Sequence, residues 1–205
     1  MNKYDSDYYV VFPRYDEENV ILLKPDKKTI KSGKGQSIIT SGRPLFFTNG
    51  FVEEFGQGKL EETVTDFMFD TPYPVVNQKV KEYLEKFKID SLQIYPAVFI
   101  DAVNIYHENL WFLNLYSELD CWDRNTSVVD TDDIEPGEEP SIVKFSLNDE
   151  VLDRIPEENR LMFKMGGLSE YFIFIHKKIH KYLVEQSVTG VQLFPVLTYE
   201  SGMEM

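Results

Sequence analysis

The chain has 205 residues, 42% of them hydrophobic and 14% aromatic, with a formal net charge of −14 and one cysteine. That composition supports a substantial core in one large domain or two small ones, and it excludes an internal disulfide and a Cys-rich zinc site. An acidic surface of this kind repels nucleic acid and anionic membranes and favours a basic partner, while also serving solubility. 

The start, MNKYDSDYYVVFPRYDEEN, has no basic stretch followed by an apolar one, and no apolar run reaches membrane-spanning length. A cytoplasmic protein without a signal peptide is therefore expected. Tyr8–Phe12 and Val20–Leu23 read as a hairpin around the polar stretch Pro13–Asn19. Lys24–Ser41 is the one basic segment; its SGKGQS lacks phosphate-loop spacing and reads as a solvated loop. Pro44–Phe47 and Phe51–Phe55 are aromatic patches beside turn signals, expected as irregular cover over a sheet.

Val76–Pro96, VNQKVKEYLEKFKIDSLQIYP, occurs again 99 residues later as Ile175–Pro195, IHKKIHKYLVEQSVTGVQLFP. Five positions are identical without a gap: Lys79/Lys178, Tyr83/Tyr182, Leu84/Leu183, Gln93/Gln192 and Pro96/Pro195. Apolar residues at Val76, Val80, Tyr83, Leu84 and Phe87 mark one face of a helix, and Ile175, Ile179, Tyr182 and Leu183 repeat it. Asn77 is a good N-cap and His176 a poorer one. Asp90-Ser91 and Thr189-Gly190 predict turns, with Gly190 suited to positive φ. Strands follow at Leu92–Tyr95 and Val191–Phe194. Extended segments precede each helix, at Phe67–Phe69 and Tyr171–Ile175.

Ala97–Ile105 and Leu110–Tyr116 predict a hairpin whose turn is Tyr106–Asn109. Trp111, Leu113 and Leu115 fall on one face of its second strand and Leu110, Phe112 and Asn114 on the other, so that strand should be central and covered on both sides. Ser117–Pro140 then carries nine acids against the single base Arg124 and reads as a loop. Ile142–Leu147 predicts a strand. Asn148 predicts the cap of a short helix ending near Pro156, and Leu161–Met165 a further strand before the turn Gly166-Gly167. Thr198–Met205 is expected to fray.

No catalytic pattern emerges. His176 and His180 are one helical turn apart, but no HExxH glutamate or third ligand accompanies them, so no metal is expected. Asp130-Thr131-Asp132-Asp133 lacks the glycine and glutamate of a calcium loop. Asp120 and Asp123 flank Cys121 and Trp122; paired carboxylates offer a hydrolase reading, and acidic neighbours disfavour Cys121 as a nucleophile. No cofactor motif is present. His107 is expected to be exposed in its turn.

The order VVNQKVKEYL, IDSLQIYPAVF, WFLNLYSELDCWDRNTSVV, RLMFKM and TGVQLFPVL, over Asp66–Leu197, resembles the myxobacterial-type immunity proteins of bacterial polymorphic toxin systems, long catalogued as a domain of unknown function. In such families the helix often opens with Ser, where this chain has Asn77 and His176. The resemblance implies a cytoplasmic inhibitor that binds a cognate toxin domain without catalysis, and it carries no active-site residues. 

The expectation is a single α+β domain over 1–205: residues 1–65 supply strands and loops, and 66–198 form the region of resemblance. A mostly antiparallel sheet should carry two similar helix–turn–strand units. The expected partner is a cognate toxin domain, basic in the favoured case, met by Asp120, Trp122, Asp123, Asp130, Asp132, Asp133 and Glu135; Trp122 reads equally as aromatic anchor or as ordinary core packing. A hydrolase using Asp120 and Asp123, or a structural adaptor, is the alternative. The sequence sets no oligomeric state.

Overall fold

The computed structural model describes residues 2–14, 21–27, 29, 35–40, 42–51, 62–130 and 137–204. The protein is mostly β, with three short helices among these residues, and is α+β in the broad sense. Six strands form the first sheet: β2 (Leu23–Pro25), β3 (Leu45–Asn49), β4 (Phe67–Asp70), β5 (Tyr73–Asn77), β6 (Leu92–Ile100) and β7 (Tyr106–Leu115). Their order is β2-β3-β6-β7-β5-β4, with β3–β6 parallel and the other pairs antiparallel. A bridge from Leu22 to Phe69 brings the two edges together, so this sheet is a nearly closed barrel. Leu45, Phe47, Met68, Val75, Phe99 and Phe112 fill it.

The second sheet contains β1 (Tyr8–Pro13), β8 (Glu118–Leu119), β11 (Met162–Met165), β12 (Ile173–His176) and β13 (Val191–Pro195). Its order is β13-β1-β12-β11-β8, antiparallel except for β11–β8. A separate ribbon pairs β9 (Val128–Asp130) with β10 (Ser141–Lys144). The helices are α1 (Gln78–Leu84), α2 (Asp149–Asp153) and α3 (Lys177–Glu185). None among the described residues is long and apolar enough to cross a membrane.

The sequence repeat is a structural repeat. In the first unit β5 leads into α1 and then β6; in the second β12 leads into α3 and then β13. Each unit also takes a strand inserted between its two helix-flanking strands. In the first it is β7, from just downstream. In the second it is β1, from the other end of the chain. The registers coincide. Val76 faces Trp111 and Gln93 faces Asn114, while Ile175 faces Tyr9 and Gln192 faces Phe12, so β7 and β1 superimpose with one constant offset, Trp111 on Tyr9 and Asn114 on Phe12. The outer strands agree as well: Asn77 N–H donates to Asp66 O (3.0 Å) and His176 N–H to Leu161 O (2.8 Å).

An approximate twofold axis relates the units. The rings of Tyr83 and Tyr182 stack with centroids 3.6 Å apart and planes 1° from parallel. Tyr83 Oη donates to Lys178 O at 3.1 Å, and Tyr182 Oη donates to Lys79 O at 3.2 Å. Beneath them Val80, Leu84, Ile179 and Leu183 join Val76, Leu113, Ile175 and Val11 in one shared apolar cluster. Burying such side chains stabilises by about 1.5–3 kcal/mol each, so the axis is a principal hydrophobic tie between the units. Away from it each sheet covers its own core. Val75, Phe112 and Leu110 face the barrel interior, and their counterparts Phe174, Val10 and Tyr8 pack with Phe163, Phe145 and Tyr199.

Several expectations change. β1 does not form a hairpin with the segment after it; it pairs with β12 and β13, because its apolar faces complete the second unit. β2 begins at Leu23 and pairs with β3, and Val20 lies outside the described residues. Pro44–Phe47 contributes to the regular strand β3, while most of Phe51–Phe55 lies outside the described residues. The hairpin turn is 101–105, earlier than Tyr106–Asn109, since β7 already starts at Tyr106. The end of the chain is anchored: Tyr199 is fully buried against Phe12, Phe145 and Phe194. β7 is central and covered on both sides, with the two faces expected.

Candidate functional site

The acidic stretch follows β7 out of the first sheet, joins the edge of the second as β8, crosses the second core, and includes β9 of the β9–β10 ribbon. Its residues have different surroundings. Asp120 is half-exposed, but both its oxygens accept from Arg124, at 2.5 Å from Nη1 and 2.6 Å from Nη2. The same guanidinium lies 4.1 Å from the Trp122 ring centroid. Gly167 completes this cluster. At φ +72° a Cβ there would fall 2.8 Å from Arg124 Nη2, so only glycine fits without displacement.

Asp123 organises a turn. It accepts from Asn125 N–H (2.8 Å) and Asn2 Nδ2 (2.8 Å), and these bonds, the backbone one foremost, hold its carboxyl below the usual range. Of its two readings Trp122 takes the core one. It is 5% exposed, bridges backbone to backbone with Leu147, and donates Nε1–H to Gly167 O at 3.2 Å. It belongs to the core, because an indole can bury its large apolar surface once its one donor is satisfied. Asp130 is exposed at the ribbon end, opposite Ser141. Asp132, Asp133 and Glu135 lie outside the described residues. Cys121 is fully buried, with Sγ 3.9 Å from Met165 Sδ; burial, then the Asp120 charge, pushes its thiol far up, so it is not a ready nucleophile.

The turn between β6 and β7 is the feature sequence reasoning missed. Asp101 Oδ1 accepts from Val103 N–H (3.0 Å) and Ile105 N–H (2.8 Å), and its Oδ2 lies 2.9 Å from His107 Nε2. Burial alone would raise the Asp101 carboxyl, but the His107 bond and the two backbone bonds outweigh it and leave it low. The backbone closes the same turn, with Asp101 N–H to Ile105 O at 3.1 Å and Asn104 N–H to Asp101 O at 3.0 Å. Asn104 takes φ +65°, a conformation its short polar side chain tolerates. Glu62 Oε2 receives Ala102 N–H at 2.7 Å, and His107 stacks on Phe99. On this braced turn Val103 is 73% exposed, Ile105 56% and Tyr106 47%. Asp followed three residues later by Asn was the available signal; the apolar residues between and after them disguised it as strand.

His107 borders an open groove with Asn77, Lys79, Glu108 and Asn109. It is therefore braced and part-buried rather than free. A smaller crevice of about 180 Å³ lies beside the two units, lined by Asp90, Ser91, Ser117, Glu118, Asn159 and Arg160. Its polar groups engage one another or their neighbours: Ser91 with Ser117, Asn159 with Asp90, Glu118 with Lys164, and Arg160 with Ile155 O, Tyr8 Oη and Tyr4 Oη. Among the described residues no group of three His, Cys, Asp or Glu could hold a metal ion. His180 does not stand beside His176 as a ligand. It stacks on Tyr9 with centroids 3.7 Å apart, in the place where Lys81 lies over Trp111 in the first unit. 

What this surface offers is a braced apolar projection at one hairpin and, among the described residues, the exposed Asp130 at the end of the ribbon. No protein-family model matches the sequence, and no curated protein matches it either.

Proposed function

We propose that the protein is an inhibitor that neutralises a toxin domain by direct binding, without catalysis of its own. The observation that carries this reading is the 101–107 turn, where one carboxylate fixes the backbone while Val103 and Ile105 are largely exposed and Tyr106 is half-exposed beside them. Exposed apolar groups on a pre-ordered loop suit insertion into a partner, because the entropy of ordering is already lost before contact. With Trp122 in the core, Val103, Ile105 and Tyr106 take over the role of anchor. Asp130 and the acid-rich sequence of Ser117–Pro140 supply long-range attraction to a basic partner, and the net charge of −14 works in the same direction. The resemblance to immunity proteins names the partner class, and nothing in this reading involves nucleic acid or a membrane. 

The test is binding, by calorimetry at low and high salt, to the purified products of the genes that flank the one for this chain. A 1:1 complex that V103D/I105D weakens at least about tenfold, some 1.4 kcal/mol, is expected. Asp130→Asn should mainly slow association at low salt. Absence of any complex would overturn the inhibitor reading; an unchanged affinity in V103D/I105D would overturn the anchor.

A further inference from the structure

We propose that His176 is a proton-operated latch on α3, holding the second unit's helix in place only while its imidazole is neutral. The equivalent residue of the first unit, Asn77, is a cap that cannot titrate: its Oδ1 accepts Val80 N–H at 3.0 Å. His176 performs the same task with a nitrogen. Its Nδ1 accepts Lys178 N–H at 3.3 Å, which requires that Nδ1 carry no proton and that the hydrogen sit on Nε2. That Nε2–H is fully buried without a hydrogen-bond partner, alone in this respect among the side-chain atoms of the described residues. 

The surroundings are charged on every side. Asp7, just before β1, places Oδ2 4.0 Å from Nε2, and Glu157, in the 3-10 turn Glu157–Asn159, places Oε2 3.9 Å away. Both carboxylates are already bound by the helix's own first residues, Asp7 by Lys177 at 2.7 Å and Glu157 by Lys178. Tyr8 packs edge-on against the imidazole at 5.2 Å, and its hydroxyl receives Arg160 Nη1. Burial is the largest influence on the ring and disfavours its charged form; Glu157 and Asp7 favour that form, and Arg160 and Lys177 oppose it, with a net lowering. 

Adding a proton reverses both nitrogens' roles. Nδ1 becomes a donor facing the Lys178 N–H, so the cap is lost, while Nε2 gains charge and draws the two carboxylates from their lysines. The first turn of α3 then opens while that of α1 stays closed. The folded state resists protonation, so stability is full above the ordinary histidine value of about 6.5 and declines as pH falls below it towards the lower folded value. 

The inference is independent of the binding reading. Its test is amide hydrogen exchange of the full chain by NMR at pH 7.5 and 5.0, corrected for intrinsic rates. Lys178 should lose protection several-fold at pH 5.0, while Val80, under the Asn77 cap, serves as internal reference and stays level. His176→Asn should remove the Lys178 response. Equal pH responses at Lys178 in wild type and H176N, or equal responses at Lys178 and Val80, would overturn the latch. If H176N does not fold, the wild-type imidazole nitrogens decide: an Nε2–H tautomer at pH 7.5 is expected, and an Nδ1–H tautomer overturns the proposal.

Discussion

The two units differ most where they face away from each other and agree most where they meet. Of the five identical positions, three lie at the axis: the Tyr83 and Tyr182 rings, the Lys79 and Lys178 carbonyls that accept their hydroxyls, and the Leu84 and Leu183 side chains beneath. Off the axis the same framework carries different chemistry. Asn114 sits where Phe12 does; it binds Gly35 N–H and Ser37 O, whereas Phe12 packs on Phe172, Phe194 and Tyr199. The difference teaches that the shared core fixes helix and strand placement, while the outer faces are free to carry a barrel in one unit and a separate aromatic core in the other.

The sharpest way to break the comparison is to remove β1. Deleting residues 2–14 takes the central strand from the second unit, which then loses its hydrogen-bonded neighbours on both sides. We expect no cooperative thermal transition and poor dispersion of amide resonances. The matching way to sharpen it is a permutant that attaches residues 2–14 after 204 through a short linker. In the first unit the equivalent strand follows its neighbour directly, so this permutant should fold with a stability within about 1 kcal/mol of wild type, the range tolerated when only chain connectivity changes. An unfolded permutant would show that the units are not equivalent.

Next in size are Leu84→Ala and Leu183→Ala. Both residues are almost fully buried in the shared cluster, and each change should lower the unfolding free energy by about 2–5 kcal/mol. Both should do so within one denaturant transition. Two separated transitions would mean that the units unfold independently and that the axis is a contact between domains rather than a core.

The caps come third. Asn77→Ala removes the Val80 bond and the partner of Asp66, and should cost about 1 kcal/mol. That cost should be the same at pH 7.5 and 5.0, because an amide does not titrate in this range. A cost that changed with pH would mean that the Asn77 cap is not the only interaction lost.

Much of this architecture was legible in the sequence. The repeat, the Asn77 cap and the alternation of β7 followed from spacing alone, since periodicity reports which side of an element is buried. Gly190 was expected at positive φ and takes +82°, and Ser91, its counterpart, takes +59°. What stayed hidden depended on contacts far apart in the chain. Tyr8–Phe12 reads the same whether it pairs with its neighbour or with β13, because strand pattern does not name a partner. Trp122 could not be sorted between core and surface, since a single aromatic among acids has no period. The Asp101 turn was masked by Val103, Ile105 and Tyr106, whose types favour strands. The surroundings of His176 are built by Tyr8 and Glu157, both distant from it in the chain.

The smallest effect concerns the tyrosine pair. A double-mutant cycle with Tyr83→Leu and Tyr182→Leu isolates the ring–ring contribution from the loss of apolar area. Parallel stacking at 3.6 Å should give a coupling of about 0.5–1 kcal/mol, at the lower end for aromatic pairs because both rings are only partly buried. The hydroxyls provide a second cycle. Tyr83→Phe loses a bond to the backbone of the opposite helix and Tyr182→Phe loses its mirror image, so the two single changes should cost the same, about 0.5–1 kcal/mol. Equality is the informative outcome: two chemically different helices give equal costs only if the axis relates their surroundings. A cost confined to one tyrosine would leave the stack in place and remove the symmetry.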